Sequence, residues 1–120
     1  MKHIKTIFQD ALDAKYDLQK QLQNLAIERM QADDSELGDA IQAFSDKIGT
    51  ITTPFTGEDG ALHIIEMFDL AIERKNNLQK EIMALTMSLM QQGNTELGNK
   101  LYEAHNNLST ITAPFVGEGE

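Results

Sequence analysis

The sequence predicts an all-α protein made of two tandem copies of one helical hairpin. Positions 60 apart match without a gap, and apolar residues in each copy recur at alternating spacings of four and three. No proline or glycine interrupts the longer periodic stretch of either copy. Because this spacing is typical of one face of an α-helix, we expect two hairpins that pack as a four-helix bundle with pseudo-two-fold symmetry.

The repeat is the strongest signal in the chain. Leu18-Gln19-Lys20 recurs as Leu78-Gln79-Lys80, and Thr50-Ile51-Thr52 recurs as Thr110-Ile111-Thr112. About a third of the positions are identical, whereas chance agreement would be roughly one in fifteen. We therefore predict a first repeat at residues 1–58 and a second at residues 59–120, which together form one compact domain.

Each copy is predicted to contain a long helix followed by a shorter one. The long helix carries a stripe that begins at Ile4 in copy one and at Ile64 in copy two. Polar breaks follow at residues 32–35 and 92–95, where Asp34 and Asn94 suit the N-cap of the next helix. Proline disfavours helix in the residue before it, so Pro54 and Pro114 are expected to end the second helices.

Composition narrows the classes of function. The chain has no cysteine, which excludes disulfides and thiolate metal sites and favours a reducing compartment, so we expect a cytoplasmic protein. No stretch approaches the roughly 20 apolar residues that span a bilayer. The net charge of −9 argues against direct contact with nucleic acid or an anionic membrane and favours a partner with a basic surface.

Two pairs of equivalent residues are candidate ligand-binding groups. Lys15 and Lys75 lie on the apolar stripes and could converge on one anion, although their stems could equally follow the edge of the core while the ammonium groups reach water. Gly38 and Gly98 lie in the first turn of the second helices, where glycine costs about 0.5–1 kcal/mol relative to alanine. This cost indicates a close approach of another helix or of a ligand.

Three further groups are candidate partner-binding residues. Met83 and Met87 form a flexible apolar stripe that could equally fill the core. Phe55 and Phe115 follow the prolines and could either fold back over the long helices or leave those stretches as an oligomer surface. Asp33, Asp34 and Asp39 form an acidic patch that could imitate the phosphates of DNA.

The sequence carries no catalytic or metal-binding signature, so we expect neither enzymatic activity nor a cofactor. The leading hypothesis is a non-catalytic interaction protein, of the adaptor or inhibitor kind, that binds a protein through helix faces and self-associates as a homo-oligomer. Two alternatives remain open at this point. One is a bundle that binds a small anion or nucleotide through Lys15 and Lys75, and the other is an acidic mimic of nucleic acid.

Overall fold

The computed structural model describes residues 4–56, 60 and 62–116, and every regular element in those ranges is helical. The helices are α1 (Ile4–Gln31), α2 (Ser35–Thr56), α3 (Ile64–Gln91), α4 (Thr95–Asn107) and α5 (Ser109–Val116). Only Leu108 separates α4 from α5, and its φ of −56° and ψ of −33° are helical, so the two segments form one rod. The all-α prediction is confirmed, with four helical rods. The predicted repeat boundary between residues 58 and 59 lies outside the described residues.

The two long helices end in the same way. In copy one, the amide of Asp33 donates to the carbonyl of Met30 at 3.2 Å, and the amide of Asp34 donates to that of Arg29 at 2.8 Å. In copy two, Gly93 and Asn94 make the equivalent bonds at 3.1 and 2.9 Å. This pair of bonds is a Schellman motif, which requires a left-handed residue just after the helix; Asp33 has φ +61° and Gly93 has φ +83°.

The second helices begin where the sequence predicts, but the capping differs from the expectation. Asn94 is the N-cap of α4, and its side chain makes no capping hydrogen bond. In both copies the carbonyl of the residue before the helix accepts from a glycine amide, Asp34 from Gly38 at 3.0 Å and Asn94 from Gly98 at 3.1 Å. These bonds are the first backbone hydrogen bonds of the second helices, and they follow directly after the turn that the Schellman motif closes.

The prediction that Pro54 and Pro114 end their helices is wrong. Helix α2 continues through Pro54 to Thr56, and α5 continues through Pro114 to Val116. Pro54 has no N–H to donate to the carbonyl of Thr50, four residues earlier. That carbonyl instead accepts from Arg74 Nη1 of α3 at 2.7 Å and from Thr53 Oγ1 at 3.0 Å. The α2 rod consequently has 22 residues, longer than the roughly 17 expected from the sequence.

The helices pack in a fixed pattern of neighbours. Within the copies, α1 packs against α2, and α3 packs against α4 and α5. Between the copies, α2 packs against α3, and α1 packs against α5 and the adjoining part of α4. Over the described ranges, the backbone of α1 does not approach that of α3, and the backbone of α2 does not approach those of α4 and α5.

One continuous core lies between these helices, and its members fall at equivalent positions of the repeat. Five fully buried apolar pairs lie 60 residues apart: Ala11 with Ala71, Leu22 with Ile82, Ile41 with Leu101, Ile48 with Leu108, and Ile51 with Ile111. Burying apolar side chains of this size is the main source of stability in a chain of this length.

Polar contacts also recur at a spacing of 60 residues. Gln19 Nε2 donates to the carbonyl of Ser45 at 2.9 Å, and Gln79 Nε2 donates to that of His105 at 3.0 Å. Thr50 Oγ1 donates to the carbonyl of Lys47 at 2.6 Å, and Thr110 Oγ1 makes the same bond to Asn107 at 2.6 Å. Equivalent residues of the two copies thus have equivalent surroundings at these positions.

Candidate functional site

An open groove of about 570 Å³ lies between α3 and α4. It is lined by Asn76, Gln79, Lys80, Met83, Ala84, Met87 and His105. Met83 is half-buried, whereas Met87 is 57% exposed and Ala84 is exposed. The predicted methionine stripe therefore lies at the surface between two helices of copy two. We refer to this feature as the α3–α4 groove.

An aromatic pair on α4 stands beside the α3–α4 groove. The rings of Tyr102 and His105 stack with centroids 5.7 Å apart and an interplanar angle of 7°. Tyr102 is 47% exposed, and the backbone carbonyl of His105 is held by Gln79 from α3. Tyrosine and methionine are both enriched at protein interfaces, so this combination suits the docking of another protein.

The equivalent surface of copy one is more polar. Gln23 and Asn24 stand where copy two has Met83 and Ala84, and Ser45 replaces His105. Ile27, at the position of Met87, is 51% exposed. The apolar groove is therefore a property of copy two.

Lys15 and Lys75 occupy equivalent positions but have different partners. Lys15 is buried, with 8% of its surface exposed, and its Nζ lies 3.5 Å from the centre of the Tyr16 ring. Lys75 is half-buried, and its Nζ donates to Gln79 Oε1 at 3.4 Å. Each ammonium group thus has a neighbour within its own helix.

Gly38 and Gly98 are both buried against a methionine of the preceding long helix. A Cβ atom at Gly38 would lie 2.7 Å from Met30 Cγ and 3.1 Å from the carbonyl oxygen of Ala26. At Gly98 it would lie 2.9 Å from Met90 Cε and 3.0 Å from Met90 Sδ. The close approach that the sequence indicated is therefore an approach of helix to helix.

Phe55 belongs to a cluster of three aromatic rings. It stacks on Phe8 with centroids 4.8 Å apart and meets the edge of Phe68 at 6.2 Å, and Phe8 and Phe68 lie 6.3 Å apart. Phe55 thus folds back over the beginning of α1 and also reaches the other copy through Phe68. The side chain of Phe115 lies outside the described part of the chain.

The three predicted acidic residues lie around the turn between α1 and α2. Asp33 and Asp39 are exposed and Asp34 is half-buried. Asp34 also lines a groove between the start of α2 and the end of α3, together with Glu36, Leu37 and Leu89. The acidic patch therefore borders a contact between the two copies.

Sequence reasoning missed the stacked pair of Tyr102 and His105. Their spacing of three on a polar helix face was the available signal, because it places two rings side by side. Among the described residues there is no group of three or more His, Asp or Glu side chains that could hold a metal ion. The described helices also include none with both the length and the apolarity to cross a membrane.

Comparison of the chain with protein-family models, with curated proteins and with solved structures finds no match.

Proposed function

We propose that this chain is a non-catalytic interaction protein that binds another protein through a helix face. The scaffold in this proposal is a four-helix bundle with pseudo-two-fold symmetry, in which each hairpin contacts the other through equivalent positions. The recurrence of core residues and hydrogen bonds at a spacing of 60 supports that symmetry. Rigid helices of this kind present side chains at fixed positions, which suits recognition of a partner.

The α3–α4 groove is the proposed docking surface, and the observation that carries the proposal is the exposure of Met87 in a groove that His105 lines from α4, with the exposed Tyr102 ring stacked on His105. Two helices with an apolar trough between them suit an amphipathic helix, which would place its apolar face against Met83, Ala84 and Met87. The charge of −9 would attract a partner whose outer surface is basic, and it would raise the rate of association more than the affinity.

The proposal includes self-association through a different surface. Tyr16 and Ile27 on α1 are 59% and 51% exposed, respectively, and lie on the outer face of the first copy. Burying these side chains against a second copy would remove apolar area from water. Light scattering on the purified chain tests this part directly. A mass above that of one chain supports it, and a single chain at all working concentrations contradicts it.

Docking in the groove predicts a difference between two variants that add the same charge. Met87→Asp places a carboxylate in the groove and should weaken partner binding at least about tenfold, since central apolar contacts dominate interface energies. Ile65→Asp makes the same kind of change at a similarly exposed apolar position of α3 that does not line the groove, and it should change affinity less than about twofold. The partner is captured from lysate of the source cell, and its dissociation constant is then measured with both variants.

Three results would contradict the docking proposal. The variants could weaken binding equally, Met87→Asp could strengthen binding as pure charge attraction to a basic protein would, or no stoichiometric partner could be captured. Circular dichroism of each variant should give the helix content of the parent chain. That control separates loss of a contact from loss of the fold.

The two alternative functions have weaker support from the contacts. An anion held between Lys15 and Lys75 would have to displace the contacts with Tyr16 and Gln79. Mimicry of nucleic acid would depend on Asp33, Asp34 and Asp39, of which Asp34 is half-buried between helices.

A further inference from the structure

The two interfaces between the copies occupy equivalent places but differ in charge. At the α2–α3 interface, Arg74 Nη1 donates to the carbonyl of Thr50 at 2.7 Å, and Lys47 Nζ lies 2.6 Å from Glu81 Oε1. At the α1–α5 interface, the residues at these four positions are Ala14, Thr110, Asn107 and Gln21, so the cations and the carboxylate are all replaced by neutral groups.

The smaller neutral residues leave an open space at the α1–α5 interface. The space has a volume of about 190 Å³ and is lined by Ala14, Asp17, Leu18, Gln21, Asn107 and Thr110. We call it the α1–α5 notch. Its one charged lining residue is Asp17, which replaces the neutral Asn77 of the other interface. The notch is therefore negative where the equivalent place on α2 and α3 contains two cations and one carboxylate.

Thr110, which lines the notch, has a backbone carbonyl that lacks the side-chain donors of its equivalent, Thr50. Pro114 has no N–H for the carbonyl of Thr110, just as Pro54 has none for that of Thr50. At the α2–α3 interface, Thr53 and Arg74 donate to the carbonyl of Thr50. At the α1–α5 interface, the residues at the equivalent positions are Ala113 and Ala14, so neither side chain can donate to the carbonyl of Thr110.

From these observations we infer that the α1–α5 notch accepts an arginine side chain of a basic partner. The guanidinium group takes the place that Arg74 fills at the equivalent interface: it donates to the carbonyl of Thr110 beside the carboxylate of Asp17. Arginine fits better than lysine because the planar guanidinium group has five N–H donors spread over three nitrogens, so separate nitrogens can donate to the carbonyl of Thr110 and to the carboxylate of Asp17.

This inference deepens the proposed function and rests on it only in taking the partner to be basic. The notch lies on α1, α4 and α5, whereas the docking groove is lined from α3 and from His105 of α4. A small guanidinium compound can therefore test the notch without the partner. If the guanidinium compound does not bind the notch, the Met87→Asp experiment still tests docking in the groove. If the Met87→Asp experiment contradicts docking, the titration still tests the notch.

The test is an NMR titration of the full chain with N-acetyl-arginine methylamide, followed in ¹H–¹⁵N correlation spectra. We expect weak, saturable shifts that cluster at Asp17, Asn107 and Thr110, with a dissociation constant in the millimolar range. The citrulline analogue has almost the same shape without the charge, and it should bind at least about tenfold more weakly because charge-assisted hydrogen bonds are the stronger ones.

Variants of the two interfaces sharpen the test. Ala14→Arg supplies the guanidinium from within the chain and should abolish the shifts, while thermal unfolding verifies that the variant folds. Arg74→Ala empties the equivalent place and should create a second set of shifts around Thr50. Asp17→Asn should weaken binding about threefold, as loss of a partly exposed ion pair does.

Asp13→Asn is the matched control for Asp17→Asn, because it removes the same charge from an exposed residue of α1 that does not line the notch. It should leave the dissociation constant within measurement error. Three results would overturn the inference: no saturable shifts in the parent chain, unchanged shifts in folded Ala14→Arg, or equal effects of Asp13→Asn and Asp17→Asn.

Discussion

At the scale of single residues, the turn between the helices of each hairpin has a left-handed residue that differs between the copies. Copy two has Gly93 there, which adopts this conformation without a steric penalty, whereas copy one has Asp33. An L-residue in this region costs about 1–2 kcal/mol, although aspartate tolerates it better than most. The same backbone hydrogen bonds close both turns, so the cost at Asp33 comes from its backbone conformation and not from a lost hydrogen bond.

Exchanging these residues should therefore have opposite effects in the two copies. We expect Gly93→Asp to lower the free energy of unfolding by about 1 kcal/mol, because it introduces the left-handed penalty. Asp33→Gly should leave the free energy unchanged or raise it by up to about 1 kcal/mol, since glycine's greater freedom in the unfolded chain offsets part of the gain. Urea unfolding of both variants measures this. A loss of stability in Asp33→Gly with none in Gly93→Asp would show that the turns are not equivalent.

The glycines of the second helices illustrate what the sequence could and could not predict about single residues. Repetition of Gly38 at Gly98 was enough to predict a close approach. The sequence did not say what approaches them, because Met30 and Met90 come from the preceding helix and meet the glycines only after the turn has reversed the chain. The sequence pattern thus predicted that positions 38 and 98 have no room for a side chain. The geometry of the turn, which places Met30 and Met90 against them, explains why.

At the scale of whole elements, α2 continues past a proline that was expected to end it. The prediction considered only what Pro54 removes from its own helix. It could not include Arg74, which reaches the unpaired carbonyl of Thr50 from α3, because the contact depends on how the two copies pack. The repeat offered one visible signal, since Arg74 and Thr53 are both replaced by alanine in the other copy.

A double-mutant cycle tests whether Arg74 compensates for Pro54. In the parent chain, Arg74→Ala should lower the free energy of unfolding by about 1 kcal/mol, which suits a charge-assisted hydrogen bond that is partly exposed. In a Pro54→Ala background the loss should be smaller, because the alanine introduced there supplies a backbone N–H to the carbonyl of Thr50. Thermal and urea unfolding of the four proteins give the coupling. Equal losses in both backgrounds would mean that Arg74 acts independently of the proline.

At the scale of the whole molecule, contacts between the copies join two hairpins into one structure. The ring of Phe55 touches Phe8 of its own copy and Phe68 of the other, and the fully buried residues form one cluster drawn from both copies. A hairpin alone would expose much of this apolar surface. We therefore expect the two copies to unfold together.

The sequence predicted this general arrangement better than it predicted the candidate site. Helix periodicity and the repeat were sufficient for the element order, because both can be read along the chain without knowing how the helices pack. The docking groove also needs α4, and only the packing of α4 beside α3 brings His105, with the stacked ring of Tyr102, to the groove that Met83 and Met87 line. Recognising the α1–α5 notch as a candidate site requires a comparison of the α1–α5 and α2–α3 interfaces, and that comparison is possible only when the packing of both is known.

The most direct test of the central claim is urea unfolding monitored separately in each copy. The chain has no tryptophan, so Tyr16→Trp and Tyr102→Trp place one fluorescent probe in each copy at exposed positions. Ile82→Ala, a fully buried change in copy two, should cost about 2–5 kcal/mol. If the copies share one cooperative core, both probes will report a single transition with the same midpoint and the same shift. A midpoint that moves for the probe in copy two while the midpoint for the probe in copy one stays fixed would contradict the claim.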